Sequence, residues 1–238
     1  MKFIAVLAGA LALSTTAHAT TVYDAFTSFN GTQGAGGFTY MKLGAGPGDP
    51  ATQLTAPSGA CIVTATYCLQ GGASLPGVYK SLVGGQEGTY TIPTDQLLVH
   101  PGNPNPIAIL FKAPTAGDYD FTITANILDR SPSGVAIIGL SNLGGNVDST
   151  LLTTLGSAHL SYSFSGMFTL AKDDVLGLII SPAGNYSNDS TGINFTLTAR
   201  DAAVVPEPAA WSLMILGFGG VGGLLRRRRP TLCAGKPA

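Results

Sequence analysis

Gly117-Asp118-Tyr119-Asp120-Phe121-Thr122-Ile123-Thr124 alternates polar and apolar side chains without a break. A period of two puts Tyr119, Phe121 and Ile123 on one face of a β-strand and Asp118, Asp120, Thr122 and Thr124 on the other. The rhythm returns in Ile193/Phe195/Leu197 against Asn194/Thr196/Thr198, and in Leu160/Tyr162/Phe164 against Ser161/Ser163/Ser165. Ile107, Ile109 and Phe111 make another inward set. Residues 134–140 and 175–180 are continuously apolar, which predicts strands covered on both faces. Gly/Pro turns such as Ala113-Pro114-Thr115-Ala116-Gly117 and Pro182-Ala183-Gly184-Asn185 divide these runs. Short strands at roughly ten-residue spacing predict an all-β sandwich. No helical period is sustained in residues 20–205.

Upstream, residues 20–90 are Gly-rich, with Phe38-Thr39-Tyr40 and residues 62–67 as the expected strands and 44–49 and 70–77 as loops. They read as the opening strands of the same sandwich, so 20–200 forms one ectodomain. Of 238 residues, 45% are hydrophobic and only 11% charged, enough apolar surface for a sizeable core. The net charge of −1 argues against a nucleic-acid partner, which needs a basic face. Residues 20–205 alone carry six basic and twelve acidic side chains.

The two ends read differently. Lys2, an apolar run over residues 3–13 and Ala17-His18-Ala19 form a signal peptide over 1–19. Signal peptidase and the secretion machinery are the implied partners, and the mature chain begins near Thr20. At the other end, a linker over 201–208 precedes an uncharged, Gly-rich span over 209–225 and a basic tail over 226–238. Seventeen uncharged residues approach the lower limit for a transmembrane helix. Trp211 suits the interface, and Arg226, Arg227, Arg228 and Arg229 belong on the cytoplasmic side.

Pro206-Glu207-Pro208, Trp211 three residues later, the short hydrophobic span and the four arginines together resemble the PEP-CTERM sorting signal, in its variant with a Trp-Ala pair. Ser212 stands here in place of the alanine. The resemblance implies recognition by exosortase, a membrane transpeptidase of exopolysaccharide-producing Gram-negative bacteria. It also implies transient anchoring in the inner membrane, then delivery to the cell surface or extracellular matrix. The same tail is known as the C-terminal domain of some ice-binding proteins. Residues 98–102, 111–119, 173–178 and 189–192 resemble a recurring PEP-CTERM ectodomain, which implies a jelly-roll sandwich of the carbohydrate-binding-module type.

Cys61 and Cys68 lie in the exported part, where an oxidising compartment favours a disulfide. Cys233 follows the arginines. Little else carries chemistry. His100 and His159 have no local catalytic context. Asp118 and Asp120 share a strand face but read as turn and edge residues. Asp173, Asp174 and Asp189, with Asn188, are candidates for calcium, which gathers carboxylate and carbonyl oxygens; otherwise no cofactor is expected. The chain thus reads as a non-enzymatic surface or matrix protein, with exopolysaccharide as a further partner. The alternative is a carbohydrate-binding surface module, which needs a row of exposed aromatics; Tyr67, Tyr79, Tyr90 and Tyr186 are the candidates. A hydrolase would need opposed carboxylates across a cleft. Ice binding would need flat ranks of threonine, for which Thr122, Thr124, Thr196 and Thr198 are the material.

Overall fold

In chain order the elements are β1 (Thr21–Asp24), the one-turn helix α1 (Ala25–Ser28), β2 (Phe38–Lys42), β3 (Thr52–Gln53), β4 (Tyr67–Gln70), β5 (Gly77–Lys80), β6 (Gly85–Glu87), β7 (Tyr90–Ile92), β8 (Leu97–His100), β9 (Ile107–Lys112), β10 (Gly117–Ile127), β11 (Val135–Leu143), β12 (Asn146–Leu155), β13 (Ser161–Leu170), β14 (Val175–Pro182) and β15 (Thr191–Ala199). This computed structural model describes residues 20–200 apart from 47, 48, 62, 73 and 74. The signal peptide expected at 1–19, and the linker, membrane helix and basic tail expected at 201–238, lie outside the described residues.

The strands from β8 onward form one long hairpin folded over itself. Gly144 and Gly145, both at positive φ (57° and 87°), make the tight turn between β11 and β12 that twisted strands favour. Moving away from that turn, β10 pairs with β13, β9 with β14 and β8 with β15, all antiparallel. Rolling the ribbon brings β15 against both β10 and β8, and β14 against both β11 and β9. The result is two sheets wound as a jelly roll. One runs β13-β10-β15-β8-β5-β4 with β1 beside β15; the other runs β12-β11-β14-β9-β2-β3. The segments before β8 therefore widen both sheets.

The period-two residues meet between the sheets. Tyr119, Phe121, Ile123, Ile193, Phe195 and Leu197 from the first pack against Phe38, Tyr40, Ile109, Phe111, Ile137 and Leu178 from the second. Phe38 reaches across to Phe195 with ring centroids 5.7 Å apart, and Phe111 to Tyr119 at 5.9 Å. Lys80 ties β5 to α1: its buried Nζ donates to the carbonyls of Thr27 and Phe29, at 3.2 and 3.1 Å, and lies over the Phe26 ring.

Three expectations change. Residues 61 and 63–66 are irregular and the strand starts only at Tyr67, because the chain there closes a disulfide loop. Strand β11 is not covered on both faces: Val135 and Ile137 are buried, but Ala136, Ile138 and Leu140 are half-exposed on the open side of the sheet. Leu160 lies outside β13 and is exposed, and Phe164 keeps 39% of its surface, because β13 ends its sheet and has a neighbour on one side only.

Cys61 and Cys68 are bonded. The bridge lies in a second apolar cluster of Val63, Cys68, Tyr79, Ile92 and Leu98, beside the β6–β7 hairpin. Reduction is expected to lower stability by about 2 kcal/mol, since a short loop constrains the unfolded chain modestly. The urea midpoint should fall accordingly, and thiol reagents should label both cysteines only after reductant. Labelling of Cys61 and Cys68 themselves in native, unreduced protein would overturn this.

Candidate functional site

The carboxylates singled out by sequence are tied into the fold. Asp118 and Asp120 do share the outer face of β10. Asp118 accepts from Thr169 Oγ1 at 2.6 Å, and Asp120 takes a two-pronged pair from Arg200, at 2.7 Å from Nε and 2.6 Å from Nη2. Those hydrogen bonds hold Asp120 below the usual carboxylate range. Asp173 pairs with Lys112 at 2.8 Å, and the same bond lowers its pKa. Asp174 caps two turns, accepting from Gly144 N at 2.8 Å and Ala171 N at 2.9 Å.

Asp173 and Asp174 do not meet Asp189, which corrects the calcium set expected from sequence. Asp173 N bonds Ala113 O beside the start of β10. Asp189 precedes Ser190, whose carbonyl accepts from Leu128 N just past the end of β10. Eleven residues of extended strand separate these ends, a span of roughly 30 Å.

The aromatic candidates form no row. Tyr79 is fully buried and its hydroxyl meets no partner. Tyr90 is half-buried, with its hydroxyl pushed up to about 12, first by desolvation. Tyr67 and Tyr186 are exposed but separate: Tyr67 is on β4, and Tyr186 stacks edge-on near His100, with centroids 6.4 Å apart. His100 Nδ1 lies 2.8 Å from Pro101 O, and burial lowers the ring's pKa. His159 sits in the β12–β13 turn, not on a strand. The threonine ranks across β10 and β15 read Asp120–Thr198, Thr122–Thr196 and Thr124–Asn194, so they are broken on both sides of one Thr–Thr pair.

What the structure does assemble is a cleft of about 250 Å³ on the side where β12 and β13 end their sheets. One wall is aromatic: Phe121 of β10 with Phe164 and Phe168 of β13, each 5.5 Å from Phe121 by ring centroid. Gly166, opposite Phe121 in register, leaves room for that ring; a Cβ there would stand 2.8 Å from it. The other wall carries Ser141, Asp148 and Thr150 from β11 and β12, with Leu152. A bulge puts Leu152 there. The register steps from Ile137↔Thr153 to Ile138↔Leu151, leaving Leu152 unpaired and turned over Gly139. The adjacent pair Leu151-Leu152, which interrupts alternation, was the available signal for this wall. A shallower depression at the opposite end holds His159 beside Gly134 and Ala183, with no carboxylate in its lining.

Residues 204–229 match the PEP-CTERM protein-sorting motif. No curated protein matches the chain. Among solved structures it is similar to the N-terminal cellulose-binding domain of Cellulomonas fimi β-1,4-glucanase C, at 12% identity over 76% of this chain and 96% of that one, with a TM-score of 0.29. It is similar to a family 16 carbohydrate-binding module, at 12% identity over 48% and 89%, with a TM-score of 0.29. It is also similar to the globular domain of zebrafish complement 1qA, at 18% identity over 38% and 66%, with a TM-score of 0.25. The jelly-roll winding itself stands on the hydrogen-bonded strand order of this chain.

Proposed function

We propose that the chain is a non-enzymatic protein of the cell envelope, exported, held briefly by its tail and passed by exosortase to the surface or the exopolysaccharide matrix. The sorting motif at residues 204–229, beginning shortly after the last strand, carries this reading. The engagement of Asp118, Asp120, Asp173 and Asp174 in structural bonds supports the non-enzymatic part, since acid–base chemistry needs carboxyls free to face a substrate. Mass spectrometry of protein from the native host tests it. The mature chain should begin at Thr20 and end near Pro206–Pro208, without Trp211 or Cys233. A chain recovered intact to Ala238 would leave a plain membrane anchor in place of a sorting signal.

The cleft favours a second reading, a saccharide-binding module. Sugar rings present apolar faces and hydroxyl edges, which suits Phe164 and Phe168 opposite Ser141, Asp148 and Thr150. Phe164→Ala and Asp148→Ala should each weaken binding to the host's exopolysaccharide about tenfold, near 1.4 kcal/mol. Affinity electrophoresis reads this directly, and unchanged mobility of both variants would remove the cleft from the account.

A further inference from the structure

Far from Arg200, the β10–β11 loop (residues 128–134) and the β14–β15 loop (183–190) run together, and Thr89 of the β6–β7 turn lies against both. They bring together two carboxylates that the sequence separates by sixty residues, Asp129 and Asp189, with 6% and 0% of their surface exposed. Neither belongs to an ion pair among the described residues.

The local hydrogen bonds run out of protons. Asp129 accepts from Ser190 N at 2.7 Å and from Thr89 Oγ1 at 2.6 Å. Thr89 has one hydroxyl proton, and Asn188 Oδ1 faces the same hydroxyl at 3.3 Å. Turning the Asn188 amide only moves the conflict, because its Nδ2 donates to Ser131 O at 3.0 Å. Asp189 Oδ1 accepts from Gly134 N at 3.2 Å, but its Oδ2 is buried with no donor, and so is Ser190 Oγ. Asn188 also holds a left-handed backbone, φ 58°, that turns the loop at this point. Burial is the largest influence on Asp189 and, with the charge of Asp129, pushes it up to about 6 against the backbone N–H groups of Gly134 and Ser133, which pull it down.

Two buried carboxylates and a surplus of oxygen lone pairs are costly without a positive partner. The donors are of one kind. Neither histidine nor cysteine is among them, so the set is not one for zinc or another soft metal, and only two of its members are carboxylates. Oxygens from two carboxylates, an amide and hydroxyls are what a calcium-sized cation collects, with water completing its shell. We propose that Asp129 and Asp189, with Asn188, Thr89 and Ser190 supplying neutral oxygens, form a binding site for a calcium-class cation that pins the β10–β11 and β14–β15 loops together.

The test uses the full-length chain in detergent, stripped with a chelator and then titrated with CaCl2. The melting temperature should rise by roughly 5–10 °C at a hundredfold excess over Kd. MgCl2 should give a clearly smaller shift, because magnesium demands a tighter octahedron. Asp129→Asn and Asp189→Asn should abolish the calcium response. Terbium gives an independent readout on unmutated protein. Tyr90 bridges Asp129 in the backbone, so it should sensitise terbium emission that CaCl2 then displaces. Tyr90→Phe should dim that emission and keep the calcium shift. No calcium shift, an equal shift with magnesium, an equal calcium shift in both Asn variants, or emission that calcium does not displace would each overturn the site. A raised melting temperature in metal-free Asp189→Asn with no calcium effect on wild type would identify a buried, protonated Asp189 instead.

Discussion

Phe111→Ala should cost about 3–5 kcal/mol, enough to unfold much of the population of a domain of ordinary stability. Phe111 is fully buried on β9, which lies inside its sheet between β14 and β2. Its ring meets Tyr23 at 4.9 Å, Phe38 at 5.4 Å and Tyr119 at 5.9 Å by centroid. Those rings come from both sheets and from β1. Removing Phe111 therefore leaves a void walled by three aromatic side chains on hydrogen-bonded backbone, which cannot collapse into it. The comparison is Phe164→Ala, at the open edge and already 39% exposed, which should cost about 1 kcal/mol or less. Urea unfolding followed by far-UV circular dichroism reads both, with an unchanged slope indicating that the unfolded state is not altered. A Phe111→Ala midpoint close to wild type would mean that the two sheets do not close over β9.

Replacing Pro206, Glu207 and Pro208 together by alanine should leave the full-length chain in the membrane fraction of the native host. Each proline fixes its own φ and disfavours helix at the residue before it, so this stretch of sequence resists joining a continuous helix with 209–225. Alanine removes both restraints and, on the proposed reading, the triplet that exosortase recognises. Wild-type protein should be found without its tail in the surface or medium fraction. Immunoblotting of fractions, with intact-mass measurement of each band, distinguishes the two. Processing of the alanine variant at the wild-type rate would show that the triplet is not what directs the tail.

Most of the sandwich was readable because its strands obey one rule. In the middle of β10 and β15 the alternate residues Tyr119, Phe121, Ile123 and Ile193, Phe195, Leu197 are large and apolar, and these are the residues that meet across the core. The rule failed where an element lacked a full set of neighbours or a regular register. The apolar run of β11 looked doubly covered, but among the described residues its outer face stays half-exposed, and hydrophobic composition alone does not reveal how many layers cover a strand. Tyr79 looked like a binding aromatic, yet the disulfide loop and the β6–β7 hairpin enclose it, a long-range arrangement that no local pattern encodes. The cleft was hidden for a similar reason. Phe121 announced itself as core, whereas no local pattern marks Ser141, Asp148 and Thr150, which only the bulge at Leu152 and the edge positions of β12 and β13 place around an open space. For the Asp129–Asp189 cluster, sequence supplied Asp189 but attached it to Asp173 and Asp174, which the length of β10 keeps at the other end.

The folded-over ribbon also sets a timetable. Pairing of β11 with β12 spans a two-residue turn, but pairing of β8 with β15 joins residues more than ninety positions apart. Such non-local ladders form slowly, because each must close a long loop before it gains any contacts. β15 is also the strand with which β1, β8 and β10 all pair, and the described residues give β1 no other partner. If the chain crosses the membrane amino-terminus first, the core stays incomplete until residue 199 has emerged, when only a few residues remain before Pro206. Completion of folding and arrival of the sorting signal at the membrane then become nearly simultaneous events, and a chain that stalls before β15 would reach the sorting machinery unfolded.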